Sequence, residues 1–313
     1  MTSIARAIQG PVKALKIIAV VLVGLVLVVR FGLLTARDVP EKARFAIDLS
    51  ALREAAGPVE ACPESARAEQ VARADMPGPG VISGGPWSAI TFGFYVWQLR
   101  YADGTSVVLD PVHSRQTHQK NRHGDAYDDA AWDRQEKALD AASVIAATHE
   151  HYDHIGGAVE SPRYAEIAPK LKLTAAQHRP PPFGGLNRDL SAAGTLESGP
   201  EGSLHKVAPG VVAITAAGHT PGSQMFYVRL KGGAEFLLIG DVAWQEQNLE
   251  LVRTRARGIS LLAGEDAEAI THQIRAILDF KKANPSVDVV VAHDIPAMDR
   301  RFASGAVGKG LNP

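Results

Sequence analysis

The sequence predicts a layered α/β sandwich with one working edge, and three observations carry that prediction. Four apolar runs, residues 141–148, 211–217, 236–239 and 287–292, are nearly continuous, as strands buried on both faces are. Each run then meets a histidine or an aspartate at its end: His149, His219 after Gly218, Asp241 after Gly240, and His293. Helical covers for such sheets are available at 157–168 and at 265–283, the second with Ile270, Ile274, Ile277 and Leu278 on one face and Asn284-Pro285 as its stop. Helices outside, sheets inside and polar residues at one strand edge place a site at that edge.

Taken in order, the chain begins with residues 1–36, whose run 17–29 is uninterruptedly apolar and follows Arg6, Lys13 and Lys16. Between Lys16 and Arg30 it is shorter than the ~20 residues a spanning helix needs, but with both ends snorkelling it extends over 14–34 and suffices. A cleaved signal peptide would carry small residues at its cleavage site, and Leu34-Thr35-Ala36 puts leucine where one belongs. The expectation is therefore a short cytoplasmic stub and an uncleaved membrane anchor, with the rest of the chain outside the cytoplasm, on the periplasmic side if the source is bacterial. Secretion after signal cleavage is the alternative. Arg37, Lys42 and Arg44 beyond the run offset the basic residues before it, which weakens the orientation signal.

Residues 37–80 give a weaker signal and read as a linker and extension, with one short helix over 48–56 capped by Asp48 or Ser50 and a loop at Met76-Pro77-Gly78-Pro79-Gly80. The main domain is expected over 81–313. Its first strands are 90–101 and 106–109, rich in β-branched and aromatic residues and joined by the turn Ala102-Asp103-Gly104-Thr105. A polar loop with His113, His118 and His123 follows; these lack ligand spacing and read as solvated loop side chains. A helix over 125–140 leads to the run at 141–148. Pro180-Pro181-Pro182-Phe183-Gly184-Gly185 reads as a stiff loop bordering a pocket.

Composition narrows the function. With 313 residues, 46% hydrophobic and 21% charged, the chain can bury a sizeable core, and its formal net charge of -1 argues against a nucleic-acid surface. Cys62 is the only cysteine, so no intramolecular disulfide can form and a metal site must rest on His, Asp and Glu. The stretch His149-Glu150-His151-Tyr152-Asp153-His154 supplies such ligands directly after an apolar run. So many donors converging on one small volume stay unsatisfied as bare side chains, whereas divalent metal turns them into ligands. Seven candidates, His149, His151, Asp153, His154, His219, Asp241 and His293, exceed what one tetrahedral ion uses and suit two metals sharing a carboxylate. Neutral imidazoles without thiolate favour Zn2+, while the carboxylates are compatible with iron or manganese. A helical His-Glu-x-x-His motif is excluded, because Asp153 stands where its second histidine belongs.

The series His149-x-His151-x-Asp153-His154-x-Gly156-Gly157, Gly218-His219-Thr220-Pro221-Gly222, Gly240-Asp241 and His293 resembles the motif set of the metallo-β-lactamase superfamily, over about 90–294. The resemblance implies a four-layer αββα sandwich and makes 81–313 a metallo-hydrolase domain. It also implies that His149, His151 and His219 hold one metal, that Asp153, His154 and His293 hold the other, and that Asp241 bridges them. Within the superfamily the pattern is most similar to the acyl-homoserine lactonase type, with one departure: those enzymes carry a tyrosine three residues after the bridging aspartate, and this chain has Trp244. An indole can donate a hydrogen bond but cannot act as an acid.

The expected activity is a dinuclear metal-dependent hydrolase that cleaves an ester-like bond, a carboxylic ester or lactone, in a small-molecule substrate. A hydroxide between the cations attacks a carbonyl polarised by one of them, since metal binding brings the pKa of water down to about 7. Asp153 and Asp241 are the catalytic candidates, Asp153 as proton carrier to the leaving group. Tyr152, Phe183 and Trp244 are candidates for pocket lining, and Arg253 and Arg255 read as surface charges. The alternatives are a phosphodiesterase with the same centre and a non-catalytic, membrane-anchored metal-binding protein.

Overall fold

The computed structural model describes residues 2–181 and 184–313. Among the described residues, twelve strands form two sheets. The first, of seven strands in the order β12-β1-β2-β3-β4-β5-β6, comprises β1 (Ser65–Pro77), β2 (Ala89–Arg100), β3 (Ser106–Leu109), β4 (Val144–Ala146), β5 (Leu171–Leu173), β6 (Gly194–Thr195) and β12 (Gly308–Lys309). The second, in the order β11-β10-β9-β8-β7, comprises β7 (Leu204–Ala208), β8 (Val211–Thr215), β9 (Gln224–Arg229), β10 (Glu235–Leu238) and β11 (Asp288–Val290).

Side-chain alternation turns these sheets into four layers. Along β2, Tyr95, Trp97 and Leu99 pack with Phe226, Val228, Phe236 and Leu238 of the second sheet, whereas Phe94 and Val96 on the opposite face pack with Ala138, Leu139, Ile155 and Val159 of the covering helices. Along β8, Val211 and Ala213 face the first sheet, while Val212 and Ile214 face Ile270, Ile274 and Ile277 of the helix Ala267–Ala283. Both faces of β2 and β8 are thus apolar and covered, which is the physical reason these strand sequences run apolar without alternation. The αββα sandwich implied by the resemblance is the observed fold.

Several elements differ from expectation at their ends. The hairpin at 90–109 forms with the register Trp97 opposite Leu109, and Asp48 caps the short helix Leu49–Ala56 through Ser50 N at 2.8 Å. The helix expected at 125–140 starts at Asp129, because the Asp128 side chain caps it. The helix expected at 157–168 starts five residues earlier and ends at Glu160; Ser161-Pro162 interrupts it before the short turn Tyr164–Ile167. The largest difference is β1. It lies in the stretch read as linker and extension, yet it pairs with β2 along its whole length and with β12 at its start. Leu52 and Ala56, from the same stretch, are buried in the helix-covered core of the second sheet. Residues 49–77 thus belong to the fold of the main domain.

The apolar N-terminal segment is helical from Thr2 to Leu27 and continues as a wider π-helical turn over Val28–Leu33. The 19 residues Leu15–Leu33 have a mean hydropathy of 2.5 and none is buried.

Candidate metal centre

The four runs singled out in the sequence deliver their polar residues to one edge. β3 and β4 run parallel, as do β10 and β11, so the C-terminal ends of β4, β10 and β11 can converge with that of β8. Beyond β4 the chain presents His149 and His151 and then turns into the helix Tyr152–Glu160, whose first turn carries Asp153 and His154. Gly240, at a φ of 51°, lets the chain beyond β10 press against Thr148; a Cβ there would come within 2.9 Å of the threonine Cβ. Asp241 is placed by that approach. Glu150, also buried, accepts from Thr220 Oγ1 at 2.7 Å and from Gly222 N at 3.0 Å, which ties the 218–222 loop to the 149–154 loop.

All seven predicted residues meet, and Asp241 is central. Its Oδ1 lies 3.3 Å from His154 Nε2 and 3.1 Å from His293 Nε2, and its Oδ2 lies 3.1 Å from His219 Nε2 and 3.8 Å from His149 Nε2. Nδ1 of His151 faces His149 Nε2 at 3.0 Å and His219 Nε2 at 2.9 Å. Asp153 Oδ2 lies 3.6 Å from His154 Nε2 and 3.7 Å from His293 Nε2. Three groups bring their ligand atoms within 4.8 Å of one another: His149, His151, His219 and Asp241; His154, Asp241 and His293; and His149, Asp153 and His154.

Metal fits this set on the hydrogen-bond inventory alone. His154 Nε2 and Asp241 Oδ1 are fully buried, face each other across the centre and have no hydrogen-bond partner. Buried polar atoms are rarely left so, and a cation between them satisfies both. The outer ring nitrogens are already committed: His154 Nδ1 donates to Asp110 Oδ2 at 3.0 Å, His219 Nδ1 to Glu265 Oε1 at 2.6 Å, and His293 Nδ1 to the Gly93 carbonyl at 3.0 Å. Such partners fix the tautomer that leaves Nε2 free to ligate.

Electrostatics agree. Burial pushes the His149 and His151 imidazoles down, His151 to about 3, so both are neutral and available as ligands. Burial acts the same way on His154 and His219, but the carboxylates around them, Asp241 with Asp153 and Asp110 for His154 and Asp241 with Glu265 for His219, together outweigh it and hold both above their usual value. Asp241 itself stays well below the carboxylate range: burial opposes its ionisation, and the His293, His154 and His219 rings prevail.

The sequence reading missed several supporting residues. Asp110, with a positive φ of 52°, accepts from Thr148 N at 2.6 Å as well as from His154. Arg255, read as a surface charge, is buried; its Nη2 pairs with Glu265 at 2.6 Å and its guanidinium lies 4.2 Å from the Trp244 ring centre. His113 and His118, read as solvated, are fully buried and stack against each other, and burial pushes them down to about 3 and about 4. His123 Nε2 meets the Tyr152 hydroxyl at 2.6 Å. Arg253 is exposed, as expected. Only the Asp110-Pro111 strand end gave any hint of this shell.

A cavity of about 230 Å3 opens onto the centre, walled by Met76, Phe92, Tyr152, Trp244, Ile259 and Leu262. Tyr152 and Trp244 therefore line it as expected, whereas Phe183 lies outside the described residues. The Trp244 indole N–H donates to Asp241 Oδ2 at 2.7 Å.

Residues 95–293 match the family model of the metallo-beta-lactamase superfamily. The chain belongs to that superfamily, and in class it is a metal-dependent hydrolase. Solved structures of similar fold include a quorum-quenching N-acyl homoserine lactone lactonase, 16% identical over 80% of this chain and 99% of that one, with a TM-score of 0.60. An N-acyl homoserine lactone hydrolase with N-hexanoyl-L-homoserine bound at its catalytic metal centre is 15% identical over 76% of this chain and 96% of that one, with a TM-score of 0.59. A probable metal-dependent hydrolase from Staphylococcus aureus is 11% identical over 75% of this chain and 90% of that one, with a TM-score of 0.56. No curated protein matches the sequence.

Proposed function

We propose that the chain is a dinuclear metal-dependent hydrolase that cleaves a carboxylic ester or lactone. The observation that carries the reading is the division of Asp241: one oxygen faces His154 and His293, the other His149 and His219. His149, His151 and His219 would hold one divalent ion, Asp153, His154 and His293 the other, with Asp241 between them; the donor set favours Zn2+, with iron or manganese as alternatives. Bound there, the two ions would supply Lewis acidity and a water activated at neutral pH.

The chain's own residues do the rest. Asp153, whose side chain keeps more exposure than that of Asp241, carries the proton to the leaving oxygen. Phe92, Met76, Ile259 and Leu262 exclude water and hold an apolar acyl group beside the centre. Among the described residues, no lysine or arginine lines the cavity. The apolar wall favours an ester with an apolar acyl group, and a phosphodiester, whose anion two divalent cations would also hold, is the alternative.

The test is a substrate panel on the full-length protein in detergent with Zn2+, covering lactones, carboxylic esters, thioesters, lactams and phosphodiesters. Preferred cleavage of lactones or carboxylic esters supports the reading. Faster turnover of phosphodiesters replaces it with phosphodiesterase activity, and binding of two metals without turnover of any of them leaves a metal-binding protein.

The helix Leu15–Leu33 supports a membrane anchor, since this 19-residue span, apolar but for Lys16 and Arg30 and with no residue buried, extends about 28 Å. On this reading the catalytic domain lies outside the cytoplasm. Alkaline extraction checks it: an anchored chain stays with the membrane at full length, and a secreted one appears free and shortened at its N-terminus.

A further inference from the structure

Outside the metal centre, the largest exposed apolar side chains of the catalytic domain gather on one face. Trp87 is 82% exposed, Leu261 77% and Leu262 74%, with Leu251 and Val252 also exposed. Trp87, Leu261 and Leu262 border a groove of about 550 Å3 whose other walls include Leu33 and Leu34, the residues at which the apolar helix ends. Isolated exposed leucines need no explanation, but a contiguous patch of this kind marks a contact surface.

Three contacts fix the end of that helix beside the groove. Arg257 N donates to the Thr35 carbonyl at 2.9 Å, and Ser83 Oγ to the Leu34 carbonyl at 2.9 Å. Gly258 lies so near Leu33 that a Cβ there would come within 3.4 Å of the leucine Cβ. The helix Arg257–Ala263, which carries Leu261 and Leu262, thus sits directly against the point where the chain leaves its apolar segment. Arg257, exposed, is the first residue of that helix, and Arg253, also exposed, donates to the carbonyl of Ser83, the residue whose hydroxyl holds Leu34. Apolar residues interleaved with arginine suit the boundary between acyl chains and phosphate headgroups.

The groove also adjoins the catalytic cavity. Ile259 and Leu262 line both and so form their shared wall, and a chain lying in the groove is one side-chain layer from Phe92, Trp244 and the metal ligands.

Resting on the hydrolase reading above, we propose that this face docks on a phospholipid bilayer and that the substrate is an amphiphile, a long-chain acyl ester or lactone, that reaches the centre from the membrane. The patch needs an apolar partner, the adjoining helix is long and apolar enough to span a bilayer, and the groove leads from that helix to the wall it shares with the site. A bilayer meets all three conditions at once.

The test uses the full-length chain reconstituted in phosphatidylcholine vesicles with a fraction of phosphatidylglycerol. In a Cys62→Ser background, a fluorophore is placed at Leu261→Cys or, as control, at Ala102→Cys in the exposed turn between β2 and β3. The label at 261 is expected to be quenched by lipids brominated in their acyl chains and protected from aqueous iodide, and the label at 102 to behave the opposite way. Equal iodide quenching at the two positions overturns the docking. So does protection at 261 without quenching by bromolipid, which assigns the face to a protein contact. In parallel, the double variant Trp87→Ser/Leu261→Ser is expected to lose at least tenfold in kcat/KM on a vesicle-embedded long-chain ester while staying within twofold on a soluble short-chain ester. Equal loss on both, or on neither, removes the membrane route. If the wild-type chain cleaves neither ester, the hydrolase reading and the substrate assignment fall together, and the quenching alone decides the docking.

Discussion

Trp244 donates its indole N–H to Oδ2 of Asp241 at 2.7 Å. The residue that replaces the expected tyrosine is therefore engaged with the central carboxylate and has no donor left for a substrate. A carboxylate oxygen has room for this bond and a metal together, so the indole holds Asp241 in one rotamer without competing for the ion. Trp244→Phe keeps the ring against Phe92 and Arg255 but removes the donor. Since a hydrogen bond to a charged group is worth about 1.5–3 kcal/mol, kcat/KM on the preferred ester is expected to fall by about ten- to a hundredfold. Unchanged kinetics would show the bond to be idle.

The Arg255–Glu265 pair is buried behind His219, with side chains 2% and 0% exposed. The Arg255 guanidinium, with His219, keeps the Glu265 carboxyl ionised down to about 2 against the opposing effect of burial. Arg255→Met leaves that carboxylate uncompensated and should cost about 3–5 kcal/mol of stability, seen as a lower denaturant midpoint. The double variant Arg255→Met/Glu265→Gln should recover most of the stability while still binding metal more weakly, because glutamine orients His219 less firmly.

Asp110 orients His154 and pins Thr148 at the same time. Asp110→Asn can still accept from Thr148 N, but its amide can present N–H to His154 Nδ1 and so disturb the tautomer. Metal affinity, followed by competition with a chelator, should fall by about 10–100-fold with little change in fold. An unaltered affinity would remove Asp110 from the support of the site.

Acid should loosen the helix Leu49–Ala56 from the second sheet. Arg53 holds Glu235 through two bonds, at 2.8 and 2.7 Å, and keeps its carboxyl below the usual range. A depressed folded-state pKa stabilises the fold above the unfolded value of about 4.3, and that contribution is lost as pH falls through the folded one. Denaturant midpoints measured between about pH 6 and pH 3 should therefore decline less steeply for Glu235→Gln than for the wild type. Parallel declines would contradict the assignment.

The sequence disclosed the ligands more readily than their supports, for a physical reason. His149, His219, Asp241 and His293 each follow an apolar run, and the transition from buried strand to polar residue is visible locally. β1 is not visible in this way. Ser65–Pro77 is built of alanine, arginine, glutamate and glutamine, which favour helix, and it becomes a strand because β2 offers a pairing edge and Ala66, Ala68 and Ala72 fit small spaces in the core. The histidines at 113 and 118 sit in a polar stretch, and the rings that enclose them, Phe94, Tyr127 and Tyr152, lie on other elements. Arg255 is likewise buried by partners that sequence spacing does not reveal, Glu265 and the face of Trp244.

If Asp241 joins two metal ions, metal content per chain will show it. Full-length protein purified with Zn2+ and measured by elemental analysis should hold about two ions per chain, and Asp241→Ala about one or fewer with turnover abolished. A fully active wild-type protein holding a single ion per chain would mean that Asp241 bridges nothing.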